Sequence, residues 1–106
     1  MTCKINNLIF TIKNATASEV KKGFNDNNPD SYYFGSTTVS TQTILINEEA
    51  TIEKQKETLY HELMHCYIIA YLYDGMQFDE EALCNISAKS HDMIHEIVKQ
   101  YFNKSR

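Results

Sequence analysis

The chain contains no glycine and no proline between Thr51 and Tyr73. Because these two residue types interrupt helices most often, the stretch predicts one long helix over residues 51–73, ended by Asp74 and Gly75. Its first half is charged and its second half is largely apolar. We therefore expect this helix to run from the surface into the core of the fold.

The segments around this helix complete an α+β pattern. A second helix is predicted over residues 79–102, because Asp79 is a favourable N-cap and apolar side chains then recur at helical spacing. Residues 1–47 are mainly strands, with a short helix or turn at 18–24 and a loop at 25–30; the candidate strands are 4–13, 32–40 and 41–47. We predict a small sheet of about three strands packed on two long helices, in one domain over residues 1–106.

Composition excludes several classes of function. The formal net charge is −4 without a basic cluster, so we do not expect nucleic acid as a partner. No apolar run approaches the roughly 18 residues of a membrane span, and the start of the chain has no signal-peptide pattern. Three cysteines without a disulfide-like spacing then indicate reduced thiols and a cytoplasmic protein. Nothing in the sequence indicates an oligomeric state.

Residues 61–65 read His-Glu-Leu-Met-His, the HExxH pattern, inside the first predicted helix. On a helix, His61 and His65 lie about 40° apart around the axis and about 6 Å apart along it. Both imidazoles can therefore bind one zinc ion, and we expect one zinc per chain. Glu62 lies about 100° around from His61, which is where a general base for an attacking water has to lie.

Apolar residues continue the histidine face at Ile68 and Leu72, so we expect that face to be buried. The competing interpretation of the pattern is a metal-free pair of histidines, packed or hydrogen-bonded in a buried helix, with Glu62 exposed. A catalytic zinc also needs a third protein ligand. The metzincin pattern is excluded, because Tyr71 occupies the position of its third histidine and Ile68 the position of its glycine.

The start of the second helix offers a third ligand, since residues 81–85 read Glu-Ala-Leu-Cys-Asn. HELMH followed by EALCN resembles the gluzincin type of zinc metallopeptidase, in which a Glu on the following helix completes the site. The wider stretch is similar to small zincin-like proteins of phages and mobile elements, distant relatives of the ImmA/IrrE-type peptidases. The resemblance implies a peptide or protein substrate, Glu62 as general base, and zinc held by His61, His65 and Glu81.

The choice of third ligand stays open between neighbouring residues. Glu81 faces away from the apolar stripe of its own helix, whereas Glu80 lies about 80° from that stripe. We place Glu81 first, Glu80 second, and Cys84 or Asp79 after them. Asn85, one turn after Glu81, either orients a ligand by hydrogen bonding or is an incidental polar residue.

Three further features receive structural interpretations. His91 and His95 repeat the histidine spacing on the second helix, but they lie about 15 Å or more from Glu81, and we expect surface histidines. Cys66 is expected to be a buried thiol. In zincins an edge strand near the metal binds extended substrate, and residues 37–40 or 41–47 are the candidates here.

Two functional hypotheses follow. The first is a zinc-dependent metallopeptidase, in which Glu62 takes a proton from the attacking water and passes it to the leaving amine. The second is a zinc-stabilised, non-catalytic binding or regulatory protein of a phage or mobile element. A structural zinc site is closed by a fourth protein ligand, whereas a peptidase keeps that position open. Cys84, His91 or Asp79 as fourth ligand would favour the second hypothesis.

Overall fold

Four strands form one mixed sheet in a computed structural model that describes residues 1–72 and 80–103, without the side chains of residues 72, 80–83 and 86. The strand order is β1-β2-β4-β3, with β1–β2 and β3–β4 antiparallel and β2–β4 parallel. The strands are β1 (Thr2–Ile5), β2 (Leu8–Ala15), β3 (Gly35–Thr38) and β4 (Thr43–Asn47). The α+β class is confirmed, whereas the expectation of about three strands was wrong.

The additional strand arises from a turn inside the segment 4–13, which the sequence predicts as one strand. Asn6 has a φ of 54°, a left-handed conformation that asparagine tolerates better than most residues. Ile5 therefore pairs with Leu8 across a two-residue turn, and the segment folds back on itself as a hairpin.

β4 lies in the interior of the sheet and β3 at its edge. Ile44 and Ile46 of β4 are completely buried, while Thr43 and Leu45 alternate with them on the other face and are only partly covered. The predicted antiparallel pairing of residues 32–40 with 41–47 is confirmed for the strands that form there. Because β4 is paired on both sides, residues 41–47 are not an edge strand, and of the two predicted candidates only residues 37–40 begin in a strand at an edge, β3.

A long connection joins the parallel strands β2 and β4. It begins with α1 (Ala17–Lys22), which has a capping box in which Thr16 and Glu19 bond reciprocally. The segment 23–34 then leads into β3. Asn47 fixes the end of this segment, because its buried side chain donates to the Tyr33 carbonyl and its backbone N–H to the Phe34 carbonyl.

The two long helices agree with the predicted ranges 51–73 and 79–102. They are α2 (Ile52–Leu72) and α3 (Glu80–Asn103), and Asp79, the predicted N-cap of the second, lies outside the described residues. Thr51 caps α2 by accepting from the Lys54 N–H, and the buried Gln55 side chain donates to the carbonyls of Glu48 and Ala50. None of the described helices is both long and apolar enough to cross a membrane.

The core joins one face of the sheet to α2 and α3. Apolar side chains of the sheet, α2 and α3 make it up. The buried members are Ile5, Phe10, Ile12, Ile44, Ile46, Leu59, Leu63, Cys66, Tyr67, Ile94, Ile97 and Val98.

Candidate metal centre

His61 and His65 lie side by side on one face of α2. Their Nε2 atoms are 3.2 Å apart, and both side chains are exposed to solvent. A tetrahedral zinc with bonds of about 2.0–2.1 Å to two imidazoles holds their nitrogens about 3.3 Å apart. The same distance is that of a hydrogen bond between the two imidazoles, so the spacing is compatible with one shared ion and with a direct contact between the rings.

The expectation that the histidine face is buried was wrong. His61 and His65 are exposed and Ile68 is only partly covered. The reason is that α3 packs against the neighbouring flank of α2, where Ser90 contacts Met64. On the other side, the sheet ends at the four-residue strand β3. The face of α2 that carries His61 and His65 is therefore exposed to solvent between α3 and β3.

Glu62 has the opposite environment from the histidines. Its side chain is 7% exposed, and Oε1 accepts a hydrogen bond of 3.0 Å from the Thr37 hydroxyl on β3. A buried carboxylate is costly unless it is hydrogen-bonded, so this contact both stabilises and orients it. Buried Glu62 beside exposed histidines is the reverse of the burial that the metal-free interpretation predicts, whereas the contact between the two imidazoles agrees with its hydrogen-bonded form.

Gly35 brings β3 close enough to α2 for this contact. A Cβ at this position would lie 2.5 Å from Thr58 Cγ2, 3.0 Å from the Leu45 carbonyl oxygen and 3.6 Å from Glu62 Cγ. Any side chain here would therefore push the strand away from the helix. The sequence marks Gly35 only as an interruption of a strand, whereas the structure requires it for a close approach.

Two clefts open on either side of His61 and Glu62. The first, which we call the Phe24 cleft, has a volume of about 380 Å³. The second, the Lys54 cleft, has a volume of about 310 Å³. Both share Gly35, His61 and Glu62 as lining residues, so the two clefts adjoin at the candidate base.

The predicted third ligand is not seen at the histidine pair. Among the described residues, no group of three His, Cys, Asp or Glu side chains gathers in one place. Glu81 lies in the first turns of α3, but its side chain is not among those described. It lies nine residues before Ser90 in α3, and therefore about 13 Å along that helix from the contact with Met64. The role of Glu81 as ligand stays a prediction.

The neighbours of Glu81 add no ligand in the part of the chain that is described. Cys84 and Asn85 are exposed, Glu80 has no described side chain, and Asp79 lies outside the described residues. The role of Asn85 in orienting a ligand therefore stays a prediction as well.

The remaining candidates have the expected structural roles. His91 and His95 are exposed, and the His95 Nδ1 lies 2.5 Å from the Tyr60 hydroxyl. Cys66 is completely buried, and burial raises the pKa of its thiol to about 12. A thiol that is protonated at neutral pH is not a nucleophile.

Sequence reasoning included Thr37 only in the candidate edge strand 37–40 and missed its contact with Glu62, and it missed Phe24 as a residue of the site. Thr37 contacts Glu62 from a strand 25 positions away, and Phe24 reaches the cleft from the segment after α1. Neither residue carries a local signal, because a lone Thr or Phe in a strand or loop has many structural uses.

Comparison with known proteins gives no further assignment. No family model, no curated protein and no solved structure matches the chain.

Proposed function

We propose that this protein is a zinc-dependent metallopeptidase. One observation carries the proposal: the Nε2 atoms of His61 and His65 are 3.2 Å apart, next to a Glu62 carboxylate held by Thr37. The exposed pair fits a metal, and the buried carboxylate beside it fits a base. Glu81 is the proposed third ligand, on the sequence resemblance alone.

The site residues divide the chemistry between them. A zinc ion held by the two imidazoles would supply a Lewis acid that activates water and polarises the scissile carbonyl. Glu62 takes the proton of the attacking water and then gives it to the leaving amine. Thr37 holds one carboxylate oxygen, so the orientation of Glu62 is set before substrate binds.

An extended polypeptide is the substrate that suits this arrangement. β3 is an edge strand, and it lines the Phe24 cleft through Gly35, Ser36 and Thr37. Unpaired backbone groups of an edge strand bind an extended chain as an additional strand. A peptide bound there would pass directly over His61 and Glu62.

A second candidate function is a zinc-stabilised binding or regulatory protein without catalysis. A structural zinc needs four protein ligands, and the described residues place no third metal-binding side chain beside His61 and His65, so this candidate has less support than the peptidase. Cys84 and His91, which would close such a site, are exposed and do not join the histidine pair.

Replacement of the base separates the two functions. The zinc-supplemented protein is incubated with reduced, alkylated casein, and new amino termini are counted by mass spectrometry. We expect Glu62→Gln to lower the rate at least about 100-fold, because general acid–base catalysis contributes that much, while zinc content is unchanged. Glu53→Gln makes the same chemical change at an exposed position in the first turn of α2 and should cleave like the wild type.

Two results would contradict the peptidase. If Glu62→Gln cleaved casein as fast as the wild type, the role of the base would be wrong. If the zinc-loaded wild type produced no new termini, the non-catalytic function would be favoured.

A further inference from the structure

A further cleft adjoins the two at the candidate site, and we call the three together the groove. A third cleft of about 370 Å³, which we call the Tyr71 cleft, shares Val39 and Ile69 with the Phe24 cleft. The three clefts thus follow α2 from Lys54 to Tyr71, a distance of about 26 Å along the helix. At about 3.3 Å per residue, an extended peptide of about eight residues fills that length.

Exposed apolar side chains concentrate along this groove. Seven large hydrophobic residues are exposed in the described part of the chain, and four of them line the three clefts. These four are Phe24, Phe34, Val39 and Tyr71. A cluster of apolar surface at a concave site is typical of a surface that binds a ligand.

Phe24 has a ring partner although it is 45% exposed. Its ring stacks on Tyr33 with centroids 4.1 Å apart and planes 12° from parallel. The Tyr33 hydroxyl in turn donates to Asp26 Oδ2 at 2.7 Å, and the Asn28 N–H donates to Asp26 Oδ1 at 2.8 Å. The hydrogen bonds from Tyr33 and Asn28 lower the pKa of Asp26 to about 2, so its carboxylate stays ionised and accepts both.

The geometry points to the Phe24 cleft as a subsite that selects a bulky apolar side chain beside the cleaved bond. Phe24, Val39 and Ile69 give it apolar walls, while His61, Glu62 and His65 line the same space. A side chain seated there places its own backbone next to the candidate base. This inference rests on the proposed function, which it refines by naming the class of residue that is recognised.

The Lys54 cleft has a different character. Lys54 lies 4.7 Å above the Phe34 ring and 3.4 Å from the Glu57 carboxylate. The charged Lys54 and Glu57 thus line the Lys54 cleft. We therefore assign the preference for an apolar substrate side chain to the Phe24 cleft.

The test measures peptide binding apart from turnover. Two fluorescein-labelled octapeptides of Ala and Ser are prepared, identical except for Phe or Ala at one central position. Their binding to the zinc-supplemented Glu62→Gln protein is followed by anisotropy. We expect the Phe peptide to bind at least about tenfold more tightly, since a hydrophobic pocket distinguishes even one methylene by about that factor.

Variants then assign the preference to the cleft. In the same background, Phe24→Ala should reduce the difference between the peptides to less than about threefold. Val39→Ala should also reduce the difference between the two peptides. Because Val39 and Phe24 lie in different segments, the test still stands if one of the two variants does not fold. Ile9→Ala is the matched control, because Ile9 is 57% exposed and lines none of the three clefts.

The outcomes distinguish the subsite from the peptidase. Equal binding of both peptides, or a preference that survives both cleft variants, would overturn the subsite. Cleavage of casein without apolar residues beside the new termini would also overturn it and leave the peptidase standing. A Phe preference lost in the cleft variants, in a wild type that binds no zinc, would support the Phe24 cleft as a binding site for an apolar side chain and overturn the peptidase.

Discussion

Two neighbouring flanks of α2 differ in what they contact. On the core flank, Leu59, Leu63 and Cys66 are completely buried against the sheet and α3. On the open flank, His61 and His65 are exposed, and their Nε2 atoms lie 3.2 Å apart. Full burial of one aliphatic side chain contributes about 1.5–3 kcal/mol to folding. The core flank therefore stabilises the packing of α2 against the sheet and α3. The open flank contributes little to stability, and the backbone of α2 sets the spacing of its two histidines.

The largest effect is expected on the core flank. Leu63→Ala should lower the free energy of unfolding by about 3 kcal/mol, because it removes a completely buried side chain and leaves a cavity. Urea denaturation of the metal-free protein measures this change.

His61→Ala is the matched variant on the open flank. It should change the free energy of unfolding of the metal-free protein by less than about 0.5 kcal/mol, since the side chain is exposed. A loss for His61→Ala as large as that for Leu63→Ala would show that the histidines support the fold, and the contrast between the flanks would be wrong.

A smaller effect is expected at Gly35, where β3 lies close to α2. Gly35→Ala should cost about 1–3 kcal/mol of unfolding free energy, because the added Cβ would lie 2.5 Å from Thr58 Cγ2. The double variant with Thr58→Ser removes that methyl group and should recover part of the loss. Urea denaturation again gives the values.

Gly23→Ala provides the control for this substitution. A Cβ at Gly23 would meet only the Val20 carbonyl oxygen, at an ordinary 3.5 Å, and its φ of −65° suits alanine. It should be neutral or stabilising by up to about 1 kcal/mol. If Gly35→Ala were as harmless as Gly23→Ala, the close approach of β3 to α2 would not be needed.

The long helices were predictable from the sequence because their signals are local. The stretch without Gly or Pro and the helical spacing within it place α2 (Ile52–Leu72) within a residue of the predicted range at each end. The hairpin turn at Asn6 was missed, although an Asn-Asn pair is a recognisable turn signal inside an apolar strand.

The surroundings of the site depend on tertiary structure and were harder to predict. Helical periodicity predicts that the face with His61 and His65 is buried, because the apolar Ile68 lies on the same face. Whether a face is covered depends on where its neighbours end, and here β3 is short and α3 packs on the other flank. The contact from Thr37 to Glu62 arises only when strand and helix meet, so no spacing in the sequence reveals it.

The most direct test of the account is the zinc content of the purified protein by elemental analysis. We predict one zinc per chain in the wild type and in His91→Ala, whose exposed imidazole belongs to the other i, i+4 pair. His61→Ala should contain none, because one imidazole does not hold the ion. A wild type without zinc after zinc is supplied, or equal zinc in wild type and His61→Ala, would contradict the account.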